Sequence, residues 1–106
     1  MNKICTSQEQ SQRLIELGFD RKSSDMFYWC GEDLRIGGYK AQSEEFDVSA
    51  WSLSALLELI PERIPGTKLV IKWDGSYYIE GRDCLCDNAI DAAFEMVCWL
   101  KENGKL

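Results

Sequence analysis

Asp74-Gly75 is the feature that most constrains this chain, because the pair is the signature of a two-residue type I′ turn and lies between two strand-like runs, Lys68 to Trp73 and Ser76 to Glu80. A loop that short fixes an antiparallel hairpin and its register. Trp73 is then opposite Ser76, Ile71 opposite Tyr78 and Leu69 opposite Glu80 on one face, with Lys72 opposite Tyr77 and Val70 opposite Ile79 on the other. The first face is the better core candidate. On the second, the apolar pair Val70 and Ile79 is flanked by Lys68, Lys72 and Tyr77, an apolar centre with a polar rim. Val70, Lys72, Tyr77 and Ile79 are therefore a candidate surface for self-association or a protein partner, the alternative being an ordinary solvated sheet face.

The remaining elements follow from caps and periodicity. Thr6 with Glu9 three residues on has the form of a capping box, and Gly18 is placed to end a first helix of about Ser7 to Leu17. Phe19 then packs back on Leu14. Met26 to Cys30 is dense in aromatic residues and reads as a strand, followed by a weaker one at Leu34 to Tyr39 in which Gly37-Gly38 marks a bulge or bend. Ser52 caps a second helix, with Trp51 as a hydrophobic staple on Leu56 and Pro61 as its stop.

A last helix starts after Asp87 or Asn88, runs to about Glu102 and stops at Asn103-Gly104. Ile90, Ala93, Phe94, Val97 and Leu100 form one face, and Ala89, Ala92, Met96 and Trp99 widen it, so this helix belongs in the core. The element order α-β-β-α-β-β-α predicts an α+β fold, a single domain over residues 1–106, with a mainly antiparallel sheet and helices packed on one face.

Composition limits the function. Apolar residues make up 45% of the chain and charged residues 28%, ordinary values for a folded domain. The net charge is −6, and from Asp74 to Glu102 seven acids face only Arg82 and Lys101, so a phosphate backbone would be repelled and no nucleic-acid partner is expected. That acidic balance also admits an inhibitor or nucleic-acid mimic that occupies a basic site on an enzyme. The amino terminus turns polar before an apolar export segment forms, and the apolar stretches Ala50 to Ile60 and Ala89 to Leu100 are too short and too charged for a bilayer span. No membrane partner is expected, and the five scattered cysteines fit thiols of a cytoplasmic protein.

The chain contains no histidine, which removes the usual general base, the Ser-His and Cys-His nucleophile pairs and the commonest metal ligand. No glycine-rich phosphate loop is present, no cofactor is implied, and a non-catalytic role is expected. Cys84-Leu85-Cys86, just before the last helix, is the one chemically suggestive cluster. Helix-terminal amides there would lower a thiolate pKa, whereas zinc would need further cysteines from elsewhere. A thiol or metal site at Cys84 and Cys86 thus stands beside inert thiols. Asp91 and Glu95, one turn apart, imitate a catalytic pair but also fit a solvated helix stripe. Consecutive Phe27, Tyr28 and Trp29 present rings to both sides of a strand, one side being core and the other a covered face or a contact surface.

The segments Ala50-Trp51-Ser52-Leu53-Ser54-Ala55-Leu56-Leu57-Glu58-Leu59-Ile60-Pro61 and Asp91-Ala92-Ala93-Phe94-Glu95-Met96-Val97-Cys98-Trp99-Leu100-Lys101-Glu102-Asn103-Gly104, with Thr6 to Leu17 and Asp25 to Tyr28, resemble a group of small uncharacterised proteins encoded in gut-anaerobe genomes and their prophages. The resemblance implies a phage or mobile-element accessory protein that acts by binding another protein or itself. It names no site, since its residues are those already assigned to caps and core.

Overall fold

A computed structural model describes residues 4–43, 46–60, 70–73, 76–79 and 82–104, apart from the side chains of Tyr39, Val70, Ile71, Trp73, Ile79 and residues 82–84. The elements in chain order are α1 (Gln8–Glu16), β1 (Met26–Trp29), β2 (Asp33–Ile36), β3 (Val48–Ala50), α2 (Leu53–Glu58), β4 (Val70–Trp73), β5 (Ser76–Ile79), β6 (Arg82–Cys86) and α3 (Ala89–Glu102), with 3₁₀ turns at Arg21–Ser23 and Tyr39–Ala41. The expected α+β order holds, with β3 and β6 as additional strands. All pairings are antiparallel, and the strands divide between two sheets, β2-β1-β3 and β4-β5-β6.

Helix α3 organises the larger core. Asn88 caps it by accepting the Asp91 amide at 2.8 Å, and Gly104, at φ +70°, takes the left-handed residue beyond Asn103. Because apolar side chains surround most of its circumference, Ile90, Ala92, Ala93, Phe94, Met96, Val97, Cys98 and Leu100 are all buried. It packs against α2 and against β5 and β6. Trp51, Leu56 and Ile60 enter the same cluster, as does Leu14 of α1. A smaller cluster of Cys5, Met26 and Ala50, with Tyr28 against it, lies under the first sheet.

The caps explain how α1 and α2 are held. In α1 the cap is Ser7 rather than Thr6: the Ser7 hydroxyl accepts from the Gln10 amide at 3.2 Å and Gln10 Oε1 accepts from the Ser7 amide at 3.0 Å. Thr6 has another task. Its hydroxyl lies 2.8 Å from that of Ser11 and accepts the Trp51 amide at 3.1 Å, tying the first residues of α1 to the end of β3. At the other end, Phe19 donates to the Leu14 carbonyl and Gly18, at φ +96°, to that of Ile15, the two bonds of a Schellman motif. Ser52 caps α2, and Asp25 accepts both the Ser52 amide, at 2.9 Å, and the Ser52 hydroxyl.

Candidate functional site: an open edge strand

The hairpin β1–β2 carries three of the exposed large apolar residues among those described, Trp29, Leu34 and Ile36. Its aromatic run favours extended backbone, and it turns back through Cys30 and Gly31, at φ +51° and +73°, with Glu32 donating to the Trp29 carbonyl at 3.0 Å. Positive φ is costly for cysteine, so outside contacts hold the turn. Asp47 Oδ1 accepts the Cys30 amide at 2.9 Å and Gln8 Nε2 donates to the Gly31 carbonyl at 2.7 Å. Asp47 Oδ2 also accepts the Ser43 amide at 2.8 Å, and the Ser43 and Cys30 amides hold its carboxyl below the usual range. Arg21 supports the same loop, donating to Ser49 Oγ, Gln42 Oε1 and the Asp47 carbonyl. A cleft of about 180 Å³ opens beside Arg21, Ser11 and Ser49, whose polar groups already bond one another or their neighbours.

The register pairs Trp29 with Asp33, Tyr28 with Leu34, Phe27 with Arg35 and Met26 with Ile36. Strand alternation then puts Phe27, Trp29, Asp33 and Arg35 on one face, and Met26, Tyr28, Leu34 and Ile36 on the other. Burial declines steeply along and across the hairpin. Met26 and Phe27 are buried, Trp29 is 47% exposed, and every residue of β2 is exposed, with Ile36 at 87%. The Arg35 guanidinium carbon lies 4.6 Å from the centre of the Trp29 ring, a cation–π contact on the solvent side. Among the described residues β2 pairs only with β1, and none of them covers its other edge as a strand.

The hairpin β4–β5 has the expected register, including Val70 with Ile79 and Lys72 with Tyr77, while Asp74-Gly75 lies outside the described residues. Its inward face is not the expected one. Tyr77 packs against the core cluster built on α3, beside its cross-strand partner Cys86, so the Tyr77 side is the covered one. The reason is α3 itself, whose broad apolar surface needs a sheet face to cover it, and β5 and β6 supply that face. Lys72 is exposed, with its ammonium 5.7 Å from the centre of the Tyr77 ring, and the side chains of Val70 and Ile79 lie outside those described. Tyr77 is therefore half-buried, with part of its ring packed against the core of its own chain.

Cys84 and Cys86 fall in β6 rather than in a loop at the helix terminus. Cys86 is half-buried against α3, and the Cys84 side chain lies outside those described. At the helix terminus the Asp91 amide is taken by Asn88 Oδ1, and the Asp91 carboxylate accepts from Asn88 Nδ2 at 3.0 Å and Gln10 Nε2 at 2.8 Å. Asp91 is thus a tie between α1 and α3 rather than half of a carboxylate pair. Among the described residues no three histidine, cysteine, aspartate or glutamate side chains gather as metal ligands. Burial pushes the Cys98 thiol up to about 12, helped by Glu95 and Glu102.

The sequence places a weak strand at Leu34 to Tyr39, overlapping β2, but assigns no contact surface to it. Alternating Leu34 and Ile36 between Asp33 and Arg35 was a usable signal, but its meaning depends on strand order, which places β2 at an edge. No helix among the described residues is long and apolar enough to cross a membrane. No family model, curated protein or solved structure matches the chain.

Proposed function

We propose that this chain is a non-catalytic protein-binding module, an accessory protein of phage or mobile-element type, that makes its contact through the β1–β2 hairpin. The observation that supports this reading is β2, exposed at all four positions and paired, among the described residues, on one side only, with Leu34 and Ile36 on one face of the hairpin and the half-exposed ring of Trp29 on the other. An open edge offers main-chain donors and acceptors to an incoming strand, and neighbouring apolar side chains add area that water does not favour. The perturbed titratable groups argue against general acid–base work. Burial keeps Tyr28 and Cys98 protonated to about 12, and two backbone amides occupy the Asp47 carboxylate.

The test uses full-length protein carrying an affinity tag in the cells that encode it. Ile36→Glu and Trp29→Ala should lose a captured protein that wild type retains, with unchanged circular dichroism. Ile15→Glu, altering an exposed apolar residue of α1, should keep it. Capture that is indifferent to both hairpin variants would remove the hairpin from the reading. Turnover of a metabolite by purified protein, abolished by one substitution, would remove its non-catalytic part.

A further inference from the structure

We infer that the strand received by β2 is β2 of a second copy of this chain, paired antiparallel about a two-fold axis through Leu34. This rests on the reading of the β1–β2 hairpin as a protein-binding surface. The argument is the charge order of the strand, Asp33-Leu34-Arg35-Ile36.

A two-fold axis perpendicular to the sheet pairs each residue with its mirror image about the centre. Centred on Leu34, Asp33 of each copy stands opposite Arg35 of the other, two opposite-charge cross-strand pairs on one face, with Leu34 against Leu34 on the other. The neighbouring registers fail. Centring on Arg35 or on Asp33 sets like charges directly opposite, and centring between Leu34 and Arg35 sets each charge against an apolar residue. A parallel in-register pairing repeats the like-charge clash. Of these registers only the first pairs opposite charges on one face and apolar side chains at the centre of the other, with Ile36 falling beyond the paired residues opposite the second copy's Glu32 in the turn.

Contacts already present favour that register. The Arg35 guanidinium is held 4.6 Å from the centre of the Trp29 ring, on the face it shares with Asp33, so less side-chain freedom is lost when it meets the second copy's carboxylate. On the other face Leu34 pairs with Tyr28 within the chain, so the Leu34 contact across the axis continues an apolar row from one Tyr28 to the other. The three-stranded sheet becomes a continuous six-stranded one. Because the strand has only four residues, the dimer is weak and sensitive to salt.

Sedimentation equilibrium of the full chain, from about micromolar to about millimolar, tests the inference. Wild type should show a monomer–dimer equilibrium. Arg35→Asp alone and Asp33→Arg alone should each weaken it at least tenfold, and the double charge swap should restore it. Wild type also answers without any substitution, since its Kd should rise with salt. A wild type that stays monomeric, a Kd unchanged by salt, or a double swap no better than the single variants overturns the pairing. A monomeric wild type whose tagged form still captures another protein in an Ile36-dependent way overturns self-pairing while leaving the protein-binding reading intact.

Discussion

The indole N–H of Trp51 donates to Ser23 Oγ at 3.0 Å, and that hydroxyl donates in turn to the backbone carbonyl of Asp20 at 2.6 Å. A fully buried ring is thereby tied to the 3₁₀ turn Arg21–Ser23. Trp51→Phe keeps most of the apolar volume and loses this bond, for a cost of about 1 kcal/mol. Trp51→Ala also removes the ring from the core cluster that it shares with Leu56 and should cost about 3 to 5 kcal/mol. Urea denaturation of the two variants separates the polar contribution from the apolar one, and equal losses would show that the hydrogen bond is the main term.

Two adjacent glycines should respond oppositely to the same change. A Cβ on Gly37 would sit 3.0 Å from both Phe27 Cε1 and Ala41 Cβ, whereas on Gly38 it would meet only the Ser24 carbonyl oxygen, at 3.8 Å. Gly37→Ala should destabilise by about 1 to 3 kcal/mol through overpacking. Gly38→Ala should stay within about 1 kcal/mol of wild type or gain slightly from a stiffer unfolded chain. Thermal melts of the pair check this, and a harmless Gly37→Ala would show that Phe27 can move aside.

Stability should fall in alkali. Burial is the chief cause that raises the Cys98 thiol from 9.0 and the Tyr28 phenol from 10.0, each to about 12; Glu95 and Glu102 add to the first and the hydrogen bond with Cys5 to the second. The unfolded chain releases both protons first. Stability is therefore fully present below about pH 9 and is lost as pH rises toward 12, first through Cys98 and from about pH 10 also through Tyr28, whose partial exposure makes its share the smaller. Denaturation between pH 7 and 11 should show the decline, with a smaller slope in Tyr28→Phe. At neutral pH the exposed Cys30 should react with a thiol reagent while Cys98 reacts only as fast as the chain unfolds.

Ser52→Ala removes the cap of α2 and leaves the Asp25 carboxylate with only the Ser52 amide from this site, so a loss of about 1 to 2 kcal/mol is expected. Asp25→Ala should cost a similar amount, and the double variant should cost less than the sum. Additive losses in the double-mutant cycle would show that the two residues stabilise the fold independently.

Local chemistry was readable wherever a residue's role is fixed by its immediate neighbours. Asn88 and Gly104 bound α3, Gly18 and Phe19 close α1, Ser52 caps α2, and the β4–β5 register follows from a two-residue turn. Choices made by distant parts of the chain were not readable. Thr6 and Ser7 are equally good caps until Trp51 engages Thr6. Val48–Ala50 is too short to announce a strand and becomes one by pairing with β1. Tyr77 and Tyr78 alternate without indicating which will meet α3, and the exposure of Leu34 and Ile36 reflects a strand order in which β2, among the described residues, has no neighbour but β1.

The concentration of the larger core on α3 has a consequence for a chain made from one end. When β1, β2 and α2 leave the ribosome, Trp51, Leu56 and Leu14 have none of the α3 surface they will pack against. The nascent segment can form its hairpin and satellite cluster, but its principal hydrophobic surface stays wet until residues 89–102 emerge. Folding is therefore coupled to the synthesis of α3, and a ribosome stalled before that helix would hold a sticky, chaperone-accessible intermediate rather than a partly native domain.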